Sequence, residues 1–434
     1  MSTAIPQTRP WLSSPGRRAA LTARSLFPTS HHEPEPRAGD SAPVSTGPGE
    51  RLSSAASANS QTGPQAPLPC PTGSGCSQRR PPAELVGIAR LAASSAPVPT
   101  RRQGAARPEY FLLPVRSVLN RCDSERVPFE WTVNPYRGCE FACRYCYARY
   151  THEYLELDGA EFERKIFVKE DAGPVLARDL SMKYGLRAAR AAEPFSEHIA
   201  IGTATDPYQP AEAEFGATRA CLEELARRRG LSVLITTKSD QILRDLDLLK
   251  TIAERSTLLI NMTVTTMRAR LARLLEPRAP RPDLRMAALE TLVKSGLAAG
   301  VGVAPILPGL TDAEKDLDSV ARAVRDAGAL WLWGNVLFLM PSAQKQFLPF
   351  VEERFPRLAQ QYRDWYGRQG YAPERYREEM SERLAKLRRK YELGARPREV
   401  NERVWLPQQM TLSLDAERCE KAEPGAAGRA CVMR

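Results

Sequence analysis

The sequence predicts an α/β protein: a partial (β/α)6 barrel over residues 109–344, with a disordered tail at 1–108, a helical cap at 345–414 and a loose end at 415–434. Three observations carry this. From about residue 128 short β-rich runs alternate with helical ones, the pattern of βα units on a parallel sheet. Residues 1–110 hold 17 of the 36 prolines, twelve arginines and no lysine, a composition that buries too little apolar surface to offset its ordering entropy. Beyond 345 aromatic residues are interleaved with charges at helical spacing.

Strands are expected at 129–133, 199–203, 232–236, 258–264, 300–304 and 330–339, and helices at 173–184, 211–229, 240–254, 283–297 and 312–327. The last helix opens at Thr311 with Asp312 and Glu314 in its first turn, a capped start. Pro305 and Pro308-Gly309 mark the loop after the fifth strand. Right-handed crossovers place every helix outside such a sheet and curve it into a partial barrel, whose working loops lie at the C-terminal strand ends. The segments 346–367 and 373–393 read as an amphipathic pair packing its aromatic side, including Phe347, Tyr362 and Tyr366, onto the barrel.

The net charge of +11 is uneven: Lys plus Arg against Asp plus Glu runs 12 to 6 over 1–110, 31 to 31 over 111–344, and 15 to 10 over 345–405. A neutral centre with basic ends is compatible with a polyanionic partner and does not require one. No stretch approaches the run of about 20 apolar residues of a membrane span, and no apolar core of a secretory signal precedes the barrel, so a cytoplasmic protein with no membrane association is expected. Nine cysteines, an odd number, are too few for a disulfide scaffold in a chain of this length.

Three of those cysteines stand in Cys139-Glu140-Phe141-Ala142-Cys143-Arg144-Tyr145-Cys146, on the loop after the first barrel strand. Pro135 and Gly138 help the backbone turn, so the three sulfurs can converge. Thiolates suit iron–sulfur clusters or zinc. Structural zinc usually takes two separated ligand pairs, and no second CxxC is present, although His152 is available as a fourth ligand. A redox CxxC leaves Cys139 idle. Three cysteines on a four-iron cube leave one iron free for a substrate or cofactor.

The Cx3Cx2C spacing with Tyr145 before the last cysteine resembles the radical S-adenosylmethionine superfamily. The segments Gly202-Thr203-Ala204-Thr205-Asp206-Pro207, Thr236-Thr237-Lys238-Ser239, Thr263-Val264-Thr265-Thr266 and Ala304-Pro305-Ile306-Leu307-Pro308-Gly309 resemble, in order, the branch related to spore photoproduct lyase. The resemblance spans about 130–340. It implies a [4Fe–4S] cluster on Cys139, Cys143 and Cys146, with the fourth iron chelated by S-adenosylmethionine. One-electron cleavage of that cofactor then yields a 5′-deoxyadenosyl radical that abstracts hydrogen from a substrate. It also implies an electron donor such as a flavodoxin or ferredoxin, and a nucleic acid or nucleotide-like substrate. A radical enzyme acting on a protein or small metabolite, and a non-catalytic zinc or cluster module, are the competing readings.

For the cofactor pocket the resemblance implies Tyr145 near the adenine, the Gly202–Asp206 segment with Thr203, Thr205 and Asp206 near the methionine amino group, Lys238 on the carboxylate, and Thr263 or Thr265 on the carboxylate or ribose. One position departs from the pattern. With Asp206 aligned on the acidic residue of the motif, Thr203 stands where spore photoproduct lyase carries a hydrogen-donating cysteine. A hydroxyl O–H bond is too strong for that task, so the fold and cofactor chemistry carry over and spore thymine dimers do not.

Overall fold

The structure is a computed structural model and describes residues 85–100, 108–124, 127–188 and 197–397. Among the described residues ten strands are formed: β1 Glu109–Leu113, β2 Leu119–Arg121, β3 Trp131–Val133, β4 Tyr136–Arg137, β5 Lys165–Lys169, β6 His198–Ile201, β7 Ser232–Thr237, β8 Thr257–Thr263, β9 Ala299–Ile306 and β10 Leu332–Val336. The large sheet runs β10-β9-β8-β7-β6-β3-β2, and every pair in it is parallel except β2 with β3. Its six parallel strands are the six expected from the sequence, adjacent in chain order as successive crossovers require. The first and last of them are shorter than expected: β3 starts at Trp131, and β10 stops at Val336 after a register shift past Gly334.

Helices Ala172–Ala188, Ala217–Ala226, Leu246–Arg255, Pro282–Lys294 and Glu314–Asp326 alternate with these strands. Ile199, Ile201, Val233, Ile235, Ile260, Met262, Val301 and Val303 pack in one core with Leu222, Leu225, Leu249, Ile252, Leu289 and Val320 of the helices. The alternate strand positions, among them Asn261, Thr263, Gly300 and Gly302, therefore face the barrel interior. The expected helix 211–229 is interrupted at Gly216, which adopts φ +62°. Thr311 does not cap the fifth helix, whose N-cap is Ala313. Its hydroxyl instead accepts from the Leu307 N–H at 2.8 Å and closes the Pro308-Gly309 turn.

A second sheet, β1-β5-β4, was not expected, and the stretch assigned to the tail contributes to its edge. Helix Gly87–Ser94 packs Ala92 with Phe111 and Leu113, and the Val98 N–H donates to Tyr110 O at 2.7 Å. Residues 85–100 are thus a correction to the expected tail, because a short apolar helix face finds cover on β1. The rest of the expected tail, the end of the cap beyond 397 and the stretch 415–434 lie outside the described residues. The cap itself is Pro341–Arg354, Ala359–Tyr366 and Glu374–Lys390. Pro356 breaks the expected 346–367 helix in two. Phe347, Tyr362 and Tyr366 are fully buried, as an amphipathic pair facing the barrel demands. No helix among the described residues is long and apolar enough to cross a membrane.

Candidate active site

The cysteine loop leaves β4 through Gly138, whose φ is +83° and whose missing Cβ would stand 2.6 Å from Lys165 O and 2.8 Å from Phe162 O. No other residue fits this turn. Ala142, between the first two cysteines, is also left-handed at φ 56°, a conformation that costs a non-glycine residue about 1–2 kcal/mol and persists only where the surroundings impose it. Those surroundings are specific. The Cys139 N–H donates to Phe162 O at 3.0 Å, the Arg144 N–H to Leu275 O at 2.9 Å, the Arg278 N–H to Phe141 O at 3.3 Å, and Arg149 Nη2 to Cys143 O at 3.2 Å.

The end of β6 clamps the same loop. Gly138 O accepts from Thr205 Oγ1 at 2.7 Å and from Gln209 Nε2 at 3.1 Å, while the Glu140 N–H donates to Gln209 Oε1 at 3.0 Å. Asp206 Oδ1 accepts from Thr237 Oγ1 at 2.6 Å and Oδ2 from the Lys238 N–H at 2.7 Å, which ties β6 to β7. Burial pushes the Asp206 carboxyl up, and these donors oppose the shift. Thr205 and Asp206, expected beside a cofactor, therefore direct their side chains to the protein: Thr205 braces the cysteine loop and Asp206 joins β6 to the end of β7. Thr203 Oγ1 accepts from Asn134 Nδ2 at 3.0 Å, and its carbonyl accepts from the Tyr147 hydroxyl.

The remaining expected pocket residues meet at a residue that no motif contained. Glu276 is 1% exposed; its carboxylate accepts from the Tyr145 hydroxyl, from Thr265 Oγ1 at 2.9 Å and from Arg285, and Lys238 Nζ stands 3.9 Å away. Thr263 joins through its carbonyl, which accepts from Arg285 Nη1 at 3.1 Å. Burial pushes the Glu276 carboxyl up, but Arg285, Lys238 and Tyr145 outweigh it and hold it at about 2. Tyr145 also packs edge-on against Phe347 of the cap, with ring centres 6.4 Å apart.

Cys139 and Cys143 are buried and Cys146 is half-buried. Burial pushes all three thiols up, Cys143 to about 12, and a Cys146 thiolate would raise both Cys143 and Cys139 further. Only a bound cation makes such a trio thiolate at neutral pH. Three thiols on one loop form a donor set suited to iron. Among the described residues no three His, Cys, Asp or Glu side chains converge on a single-ion site. His152 takes no part in the donor set: its Nε2 lies 3.0 Å from Lys165 O and its ring packs on Phe162 and Phe167.

Residues 133–320 match the model of the radical SAM superfamily. An uncharacterized protein of Mycobacterium tuberculosis is 35% identical over 302 residues, covering 68% of this chain and 86% of the relative. The chain belongs to the radical SAM superfamily. A second relative, an uncharacterized protein of Methanocaldococcus jannaschii, is 28% identical over 227 residues, 52% of this chain and 77% of its own length. Among solved structures, a cysteine-to-alanine variant of spore photoproduct lyase superposes with a TM-score of 0.50 at 17% identity, covering 66% of this chain and 80% of that one, a likeness of fold. As a radical SAM protein the chain has a [4Fe–4S] cluster and S-adenosylmethionine as its cofactors.

Proposed function

We propose that Cys139, Cys143 and Cys146 ligate the cluster and that this radical SAM protein is an enzyme acting on a nucleic acid or nucleotide-like substrate. The observation behind the first half is the braced loop: seven hydrogen bonds and two left-handed residues hold the three cysteines at the C-terminal ends of β3 and β6. When bound on these cysteines, a [4Fe–4S] cluster would supply the one electron needed for reductive cleavage of the cofactor's C–S bond. The protein's own residues bind and shield. Lys238 offers its ammonium to the methionine carboxylate, and Tyr145, covered by Phe347, closes one wall against water. A flavodoxin or ferredoxin is the proposed electron donor, and the cytoplasm the proposed compartment.

The substrate class is supported by the basic balance of 345–405, 15 against 10, and by the fold shared with spore photoproduct lyase. Anaerobic reconstitution with iron and sulfide tests the first half: a brown protein that bleaches on dithionite and releases 5′-deoxyadenosine from S-adenosylmethionine is expected, and a colourless protein that retains zinc overturns it. Oligonucleotide binding by the loaded protein tests the second half. Affinity should fall log-linearly with salt. Absence of salt-dependent binding sinks the nucleic-acid reading and favours a protein or small metabolite.

A further inference from the structure

Glu276 lies outside every strand-end motif, yet two cations face its carboxylate. Arg285 is committed on all sides: Nε donates to Pro280 O at 2.8 Å, Nη1 to Thr263 O at 3.1 Å, and Nη2 to Glu276, and both partners are 1% exposed. Lys238 differs. Its ammonium stands 3.9 Å from Glu276 Oε1, at the outer limit of an ion pair, and 6.0 Å from the centre of the Tyr145 ring, with 15% of the side chain still exposed. Arg285 already pairs closely with the carboxylate, so the Lys238 ammonium, which also faces Asp206 and Cys143, is left without a close ion pair in a nearly dry site. Such a charge is costly unless a further anion arrives.

The same oxygen of Glu276 accepts from Tyr145 and from Thr265, whose hydroxyls lie 3.1 Å apart. One carboxylate thus sets the positions of an ammonium, a phenol and a strand-end hydroxyl. A free lysine side chain carries about 2 kcal/mol of rotamer entropy, and a loose tether removes part of that loss in advance without a close pair that a ligand would have to break.

We infer that Glu276 is a positioning residue: it tethers Lys238 beside Tyr145 so that the ammonium is ready for the carboxylate of S-adenosylmethionine, and it does not touch the cofactor itself. This rests on the reading of Lys238 proposed above. A role in folding alone would act equally whether or not Lys238 is present, whereas a tether acts only through it.

The test is a double-mutant cycle on the full chain, reconstituted anaerobically, with the dissociation constant of S-adenosylmethionine as readout. Lys238→Ala is expected to weaken binding tenfold or more, at about 1.4 kcal/mol per decade. Glu276→Gln should weaken it about fivefold in the native background and less than about twofold on top of Lys238→Ala. Equal factors in the two backgrounds, or an unchanged constant for Glu276→Gln alone, overturn the inference. An unchanged constant for Lys238→Ala sinks the reading of Lys238 and the inference with it. Because Glu276→Gln strands Arg285 without a counter-ion, the cycle is repeated with Glu276→Asp, which keeps the charge for Arg285 and retracts it from Lys238. The same loss of effect in the Lys238→Ala background is expected, and its absence counts against the tether.

Discussion

The indole of Trp331 lies across Gly300 of the neighbouring strand, where any Cβ would overlap the ring. Two residues on, Trp333 covers Gly302, and a Cβ there would stand 2.8 Å from its six-membered ring. Both indole N–H groups converge on Asn261 Oδ1, at 2.8 and 3.2 Å. Because an indole only donates, the pair fixes which end of the Asn261 amide is oxygen.

This packing predicts that Gly302→Ala and Gly300→Ala both destabilise the protein, by about 1–3 kcal/mol as overpacked cores do. Gly300→Ala should cost more, because Trp331 is fully buried while Trp333 is half-buried and has room to move. Urea denaturation of the two variants checks the order. Equal stability to the native chain would mean that the indoles are not fixed by these glycines.

The six parallel strands are legible in the sequence because each has an apolar face against helices, so runs such as Ser232–Thr237 and Thr257–Thr263 are rich in Val, Leu and Ile. The second sheet is not, since β1 and β5 pair across some fifty residues that include the whole cysteine loop and β4 is only two residues long. In the site, the cysteine loop is legible because its three cysteines lie within eight residues of sequence. Glu276 is not, because its partners come from four separate elements. One signal was present: it stands at the C-cap of helix Ala269–Leu275, where the macrodipole disfavours an acid, so an acid retained there implies a cation nearby. Arg285 is that cation.

Changing Cys139, Cys143 or Cys146 to Ala is expected to abolish cluster retention after reconstitution, with iron and sulfide content as the measure. Cys221→Ala serves as the control. Cys221 is fully buried on the core face of helix Ala217–Ala226, in a different hydrophobic cluster from the cysteine loop, so its loss should leave iron content unchanged and cost only a small cavity. Iron lost from Cys221→Ala would show the ligand assignment to be wrong.

Acid should weaken the fold through His152. Burial lowers its pKa from 6.5 to about 4, so the unfolded chain binds the proton first as pH falls. The stabilising contribution is complete above about pH 6.5 and is lost progressively down to about pH 4, an effect of roughly 3 kcal/mol for a shift of this size. His152→Gln keeps a donor for Lys165 O and cannot titrate. Its stability should lose this slope between pH 6.5 and 4, and an unchanged slope would place the titration elsewhere.

Lys238 offers the sharpest test of the pocket. Its ammonium would meet the positive sulfonium of the cofactor unless it bonds the carboxylate at the other end of the methionine. The observed tether to Glu276, at 3.9 Å, places it beside Tyr145 on the cysteine loop and leaves one side partly exposed. A charged hydrogen bond is worth about 1.5–3 kcal/mol, which corresponds to roughly ten- to hundredfold in binding. Lys238→Ala should therefore keep the visible spectrum of the cluster, weaken S-adenosylmethionine binding by that factor, and recover part of its cleavage rate when the cofactor saturates. Unchanged affinity would transfer the carboxylate to Thr263 or Thr265. Loss of the cluster would show that Lys238 supports the cysteine loop through Glu276 rather than serving the cofactor.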